Sequence, residues 1–308
     1  MNSYLTRRIQ VKLSLDGDTF DGSNNIVTLD GLRITATIDS YSGSIGSFMS
    51  QANLTIKGML QSDMDKLSTL GYSAGTYNKN LIQVYAGDDQ AGMTMIFSGG
   101  ITYGNVNYNA MPDVGVELVA SAVVNAKYAA IAASSYKGSM NVATMIQAIA
   151  ETSGYSFQNA GVTTQLSNHA TAGDALTQIK EICRAAGIHG KMERGTVYIW
   201  PAGGTMDNTI VQVNGNNGLV GYPMYAINGV NIRTLFNPQM ETGRQVEISA
   251  QISNASSSSP FANSSKSPFT NGVGTFYVWQ VKHLLSAETV NGPWFSDMSL
   301  GNRKFNAH

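Results

Sequence analysis

Four acidic residues in the middle of the chain, Glu151, Asp174, Glu181 and Glu193, are the first candidates for chemistry. Glycoside hydrolysis needs two placed carboxylates, one to protonate the leaving oxygen and one to attack or to activate water. Nothing in the spacing of these four makes two of them a pair; each also fits a helix surface, an N-terminal cap or a hairpin charge. Asp16-Gly-Asp-Thr-Phe-Asp21-Gly22 has the composition of a calcium loop. An EF-hand loop requires ligands at positions 1, 3 and 5, glycine at 6 and glutamate at 12. Here the third aspartate is displaced by one and the twelfth residue is Val27, so a turn between strands is expected instead of a metal site. His169, His189, His283 and His308 show no metal-ligand spacing, and none lies near Cys183 in sequence. Cys183 sits on the apolar stripe of a helical pattern, the place of an inert buried thiol. Trp200, Trp279 and Trp294 could stack on sugar rings or anchor a core or subunit interface. All three lie in strand-like apolar runs, which favours anchoring. The chain has no phosphate-cradling glycine loop and no Gly-x-Ser-x-Gly elbow. No catalytic residue, cofactor or metal is expected.

Periodicity places the elements around these residues. Ile9, Val11, Leu13 and Leu15 alternate with Arg8, Gln10, Lys12 and Ser14, as a half-buried strand does. Leu32 to Ile38 and Ala52 to Ile56 alternate likewise, on either side of a Ser- and Gly-rich stretch that holds Ile45 and Phe48. A short helix is predicted from Ser62 to Leu70, with Ser62 and Asp65 as a capping box and Gly71 as its stop. Leu81–Ala86 and Met93–Phe97 flank a hairpin loop, with Phe97 on an alternating face. Ile101–Tyr108, a turn at Pro112-Asp113 and Val114–Ala120 follow. The period then lengthens. Val142, Met145, Ile146 and Ile149 sit at helical spacing before Gly154, as do Leu176, Ile179, Ile182, Cys183 and Ala186 before Gly187. A hairpin turns at Arg194-Gly195. Strand signals return after Gly203.

Near the end of the chain, Phe276 to Val281 is apolar on both faces of a predicted strand, broken only by Gln280. A strand facing water on one side would alternate. The stretch therefore reads as a barrel wall with something packed on its outside. Asn291-Gly292-Pro293 turns the chain into a second aromatic strand, Trp294-Phe295. Trp279, Tyr277, His283, Trp294, Phe295 and Phe97 are the interface candidates, although a hydrogen-bonded strand-end role fits His283 as well. The expected fold is mainly β with an α+β insert. Residues 1–125 form a first barrel, 126–202 a small α+β domain and 203–308 a second barrel, with 203–235 open to either barrel. The Ser-rich segment 253–267 is either a hairpin tip or a segment that orders on a partner.

Charged residues make up 13% of the 308 residues, about half the usual share. The net charge is −1, which excludes a long-range pull toward nucleic acid or anionic membrane. Surfaces poor in charge and rich in Gly, Ser, Asn and Thr suit strands that other chains cover. One cysteine precludes an intrachain disulfide. No apolar leader and no bilayer-spanning run is evident, so membrane insertion is not expected.

The order barrel, insert, barrel resembles the central baseplate hub protein of contractile-tailed bacteriophages, a tail-tube-like double-barrel family. Val84-Tyr-Ala-Gly-Asp88 with Ile96-Phe-Ser-Gly-Gly-Ile101 and Val116-Glu-Leu-Val-Ala-Ser121 resembles the hub's first hairpin. Gly218-Leu-Val-Gly-Tyr-Pro223, Gly229-Val230, Leu235-Phe-Asn-Pro238, Gly243 and Tyr277 to Phe295 resemble its second barrel. The resemblance implies a homotrimer whose two barrels per subunit build a six-barrel ring. Such a ring adapts the sixfold tail tube to the threefold central spike and leaves an axial channel for DNA ejection. It further implies tape measure and other baseplate proteins as partners, no sequence-specific nucleic acid, and a place in the virion after assembly in the host cytoplasm. Two other classes stand beside it: a carbohydrate-binding adhesin that uses the tryptophans, and a peptidoglycan hydrolase with its site in 126–202.

Overall fold

The computed structural model describes residues 6–20, 24–42, 45–68, 79–226, 229–249 and 273–301. The Ser-rich segment 253–267, Asp21-Gly22 of the acidic loop, Gly71 and His308 lie outside them. The protein is mainly β, 56% strand and 15% helix, with an α+β insert, as the periodicity indicates.

The first half comprises β1 (Arg7–Ser14), β2 (Ile26–Leu29), β3 (Arg33–Tyr41), β4 (Met49–Lys57), α1 (Gln61–Leu67), β5 (Leu81–Asp88), β6 (Gly92–Asn107) and β7 (Gly115–Ser121). The insert follows as α2 (Val124–Tyr128), β8 (Ser134–Asn141), α3 (Val142–Thr152), β9 (Ser156–Asn159), β10 (Gln165–Thr171), α4 (Ala175–Ala186), β11 (Ile188–Glu193) and β12 (Thr196–Pro201). The last part is β13 (Ile210–Asn214), β14 (Leu219–Ala226), β15 (Gly229–Leu235), β16 (Gln245–Ser249), β17 (Val273–Ala287) and β18 (Trp294–Gly301).

Thirteen strands form one sheet in the order β14-β15-β18-β17-β3-β4-β7-β6-β5-β1-β2, with β16 also on β17 and β13 on β16. Strand β17 joins the halves. Its first part pairs with β16, Tyr277 opposite Gln245, and its second part with β3, Lys282 opposite Asp39. Strand β18 runs beside both parts. The sheet curls far enough that Arg7, at the start of β1, donates to the Gly292 carbonyl and lies over the Trp294 ring at 5.9 Å.

The change of partner on β17 has a bulge at its centre. Val278 faces Leu300 and Gln280 faces Ser299, which leaves Trp279 as the extra residue. An extra residue shifts the phase of a period of two. Phe276 and Val278 therefore point inward before it, and Val281, His283 and Leu285 after it. This phase shift explains why Phe276 to Val281 reads as apolar on both faces. Residues Ile96 and Thr102 do the same on β6, so one 16-residue strand spans two expected ones.

Three apolar clusters result. The first gathers Ile9, Val11, Ile34, Leu54, Phe97 and Leu118, with Leu285, Ala287 and Trp294 from the final hairpin. Another gathers Val213, Val230, Val246, Phe276, Val278, Met298 and Leu300. The hairpin β17–β18 thus contributes to both. The insert has its own core, in which α3 and α4 pack Ile146, Ile149, Ile179 and Cys183 together with Ile188 and Val197 from β11 and β12. Burial raises the Cys183 thiol to about 12, so it stays protonated and inert.

Helix ends follow their chemistry. Asn141 caps α3 by accepting from Ala143 N at 2.8 Å, and Asp174 caps α4 by accepting from Thr177 N at 2.8 Å. Gly187 closes α4 with φ 64°, the left-handed conformation expected of a terminal glycine. Helix α1 differs from expectation. Its N-cap is Leu60, no side chain caps it, and Ser62 lies within the helix. The expected capping box is therefore not formed.

Candidate assembly surface

Inward residues of the sheet are buried, so any function on its wall rests with the outward ones. Register aligns them in rows. Arg233, Asp297, Lys282 and Asp39 stand opposite one another across β15, β18, β17 and β3. Arg233 donates to both carboxylate oxygens of Asp297, at 2.6 and 2.8 Å, and Gln280 Nε2 donates to Asp39 at 2.8 Å. The row alternates in sign and sums to zero. A second row runs Leu235, Phe295, Leu284, Thr37, Asn53, Val119, Tyr103 from β15 to β6. A third runs Asn231, Ser299, Gln280, Tyr41, Met49. These two rows, on either side of the balanced one, carry no charge.

The six interface candidates divide by burial. Phe97 lies in the first core, 1% exposed. Trp294 is buried, edge-on to Phe236 at 5.4 Å. His283 is buried beside the same ring at 5.3 Å, and its Nδ1 shares a 2.8 Å hydrogen bond with Ser296 Oγ. Burial lowers its pKa to about 4, so the imidazole is neutral near pH 7. Tyr277, Trp279 and Phe295 are half-buried. Tyr277 donates to the Gly203 carbonyl at 3.2 Å, and the Arg233 guanidinium lies 5.6 Å from the Phe295 ring centroid. The Trp279 ring rests on Gly301, where a Cβ would stand 1.7 Å from it. Gly301 pairs with Gly229, whose own Cβ would meet the Leu300 carbonyl at 1.8 Å. Only glycines permit this approach. Trp200 is also buried, stacked near His189, so two of the three tryptophans turn away from solvent.

The candidate carboxylates are dispersed. Glu151 accepts from Gln147, Asp174 caps α4, and Glu181 accepts from Thr171. Glu193 joins a cluster that sequence spacing does not reveal. Lys191 Nζ bridges Glu193 at 3.1 Å and Glu241 at 3.0 Å, while Arg194 reaches Glu241 at 2.7 Å. Arg244 binds Asp207 at 2.8 Å and Glu241 at 3.4 Å. Burial opposes ionisation of Glu241, but Lys191, Arg194 and Arg244 outweigh it and hold its pKa at about 2. A general acid needs its pKa raised toward neutrality; these charges shift Glu241 the other way. The cluster ties the insert hairpin to the segment before β16. On the other side of the insert, Phe48 from the β3–β4 loop enters the insert core against Gly190, and Tyr155 donates to the Ala122 carbonyl.

At one end of the sheet β14 has an irregular edge. Its register breaks between Val220 and Met224, Gly221 has φ 74°, and Pro223 has no N–H for a ladder. Tyr222 and Met224 are 67% and 65% exposed beside a groove of about 560 Å³.

A wall of this kind, built on two cores and one sheet, has counterparts. The family described as Baseplate hub gp41 matches residues 8–261. The chain belongs to that family. Its role is therefore a structural one in a phage baseplate. The fold is also that of solved tail proteins. A tail protein from Neisseria meningitidis MC58 superposes with TM-score 0.58 at 10% identity over 95% of this chain and 96% of its own. The 43 kDa tail protein of prophage MuSo2 from Shewanella oneidensis gives 0.57 at 7% over 96% and 98%. A chain of the Francisella PdpA-VgrG complex gives 0.52 at 7%, covering 98% of this chain and 59% of that one. Comparison with curated protein sequences gives no match.

Proposed function

We propose that three copies of this chain form the ring joining tail tube to central spike in a contractile tail. Each copy supplies two adjacent modules, 1–125 and 203–308, so that three copies present six. One face then meets the sixfold tube and the other the threefold spike, and DNA leaves through an axial channel. Tape measure and other baseplate proteins complete the surroundings. The chain assembles in the host cytoplasm, acts in the virion and carries out no catalysis.

The observation that supports this reading most is the single sheet shared by two cores through β17–β18. A hairpin that contributes side chains to both cores fixes the angle between the modules, and ring closure requires a fixed angle. The wall across the junction carries a balanced row flanked by two uncharged ones, as a covered surface should. Tyr277, Trp279 and Phe295 keep half-exposed faces that can supply contact area. Phe97, His283 and Trp294 stiffen the wall from behind.

Light scattering on the purified chain tests the reading. A mass about three times the 32.8 kDa of one chain is expected, alone or on mixing with tube and spike proteins. Negative-stain projections should show a ring with a central hole. A persistent monomer in every mixture would rule the ring out.

A further inference from the structure

Seven cations among the described residues have a carboxylate within salt-bridge distance. Arg8 has Asp30, Arg33 and Lys57 have Asp113, Arg233 has Asp297, and Lys191, Arg194 and Arg244 share the buried cluster. Lys127, Lys180 and Arg184 differ. Among the described residues none of them forms a salt bridge, yet they stand close together on α2 and α4. Two of them line a groove of about 580 Å³ between the insert and the β6–β7 edge. Its floor is apolar, with Val123, Val124 and Leu176, and Thr102 and Ser121 add hydroxyls on the barrel side. The Arg184 stem lies against the β3–β4 loop, where a Cβ on Gly46 would stand 2.7 Å from its Cγ. The one carboxylate in the groove, Asp174, is engaged in capping α4 through Thr177 N and Oγ1.

Burial first, then the charge of Arg184 and, least, that of Lys127 lower the pKa of Lys180; the opposing pull of Asp174 is weaker than that of Arg184 but stronger than that of Lys127. The three cations therefore share one electrostatic environment and repel each other. Such an arrangement is relieved by an anionic occupant. Lys180 and Arg184 are one turn apart, about 6 Å along the helix axis. Alternate residues of an extended chain are spaced about 6.8 Å apart. A strand-like segment with carboxylates at alternate positions matches that spacing, and its intervening side chains would reach the apolar floor. Two cations over an apolar floor, with Arg184 one turn along α4 beside them, are too few for a nucleic-acid tract, and the net charge of −1 gives such a tract no long-range attraction.

We propose that this groove docks an extended acidic segment of another baseplate protein, its carboxylates set against Lys180, Arg184 and Lys127. Only the nature of that partner rests on the assembly role above.

Fluorescence anisotropy with a labelled decapeptide of alternating Glu and Leu, added to the full chain, tests the proposal. Binding is expected to weaken about tenfold or more in Lys127→Glu/Lys180→Glu, and to weaken on raising salt from about 50 to 500 mM. Both side chains are at least partly exposed, so the melting temperature should stay put; Lys127→Gln/Lys180→Gln provides a milder version. Equal binding by wild type and variants, or equal binding of a Gln-Leu peptide, would overturn the proposal. Tighter binding of an oligothymidylate than of the Glu-Leu peptide would also overturn it, in favour of nucleic acid. Light scattering on the same samples keeps the two ideas separate. A wild-type chain that binds the peptide but stays monomeric even with tube and spike proteins added sinks the ring alone, and a trimer indifferent to the peptide sinks the groove alone.

Discussion

The two ends of the 203–301 region are joined to the rest of the molecule by different physics. Toward the first half the joint is a shared hairpin, made of ladder hydrogen bonds and apolar side chains that enter two cores. Toward the insert the joint is a six-residue ionic cluster around Glu241, most of it shielded from water. Apolar burial is insensitive to pH, whereas ion pairs at such sites depend on every partner remaining charged. Apart from its one buried histidine, the sheet joint should therefore be indifferent to charge, whereas the insert joint should weaken whenever any one of its charges is removed. A ring that keeps its modules at a set angle while its insert adjusts to partners would need that division.

The strongest test of the sheet joint is truncation. Phe276→Ala and Trp294→Ala each remove a buried aromatic, and each should cost about 3–5 kcal/mol in urea unfolding. Because one hairpin serves both cores, amide exchange in β4 and in β15 should accelerate together in either variant. Loss confined to one core would show that the halves fold independently.

Glu241→Gln comes next. It leaves Lys191, Arg194 and Arg244 without their common carboxylate, and breaking a buried pair from one side costs about 3 kcal/mol or more. The effect should concentrate in the insert: amide exchange should accelerate in β11 and β12 and stay slow in β3 and β4. Uniform acceleration would erase the distinction between the joints.

These features were unequally legible in the sequence. Strands β1, β3 and β4 announce themselves because each keeps one phase from end to end. The bulges at Ile96, Thr102 and Trp279 do not, since a bulge is defined by the partner strand. Apolar residues on either side of one mimic a strand covered on both faces. Strands β8 and β10 carry exposed residues on both sides, with no periodicity to detect. In the ionic cluster, Lys191, Glu193 and Arg194 resemble ordinary hairpin charges, and Glu241 is 50 residues from Lys191. A charged hairpin flanked by strong strands is the only hint, and it does not name the partner. Five of the six wall candidates are legible because aromatic residues cluster in β17 and β18, and Phe97 through the alternating face of β6, but sequence alone does not separate the buried Phe97, His283 and Trp294 from the half-exposed Tyr277, Trp279 and Phe295.

Acid titration separates the joints with a smaller effect. His283 has a folded pKa of about 4 against 6.5 for the free side chain. The unfolded chain therefore binds more protons between those values, and stability falls as pH drops from about 6.5 to 4, by at most about 3 kcal/mol. Glu241, with a folded pKa of about 2 against 4.5, loses its contribution mostly below that window, as pH falls from 4.5 through 2. Unfolding free energies at half-unit pH steps should show both phases. His283→Gln should flatten the upper phase and leave the lower one. A flat profile from 6.5 to 4 in the wild type would mean that the imidazole is protonated in place.

The smallest effect is expected on the outward face of the same hairpin. Asp297 stands between Arg233 and Lys282, and the Arg233–Asp297 pair is bidentate but partly exposed, 49% and 33%. Solvent screening limits such a pair to less than about 1 kcal/mol, so Asp297→Asn should barely shift the urea midpoint of an isolated chain. It does leave two cations adjacent on a wall that is otherwise balanced. Repulsion between covered surfaces is felt where water is excluded, so the variant should lower the assembled mass at low salt and recover it as salt rises. A loss above about 2 kcal/mol in the unassembled chain would show that the balanced row holds the shared hairpin together from outside. The sheet joint would then depend on charge as the insert joint does.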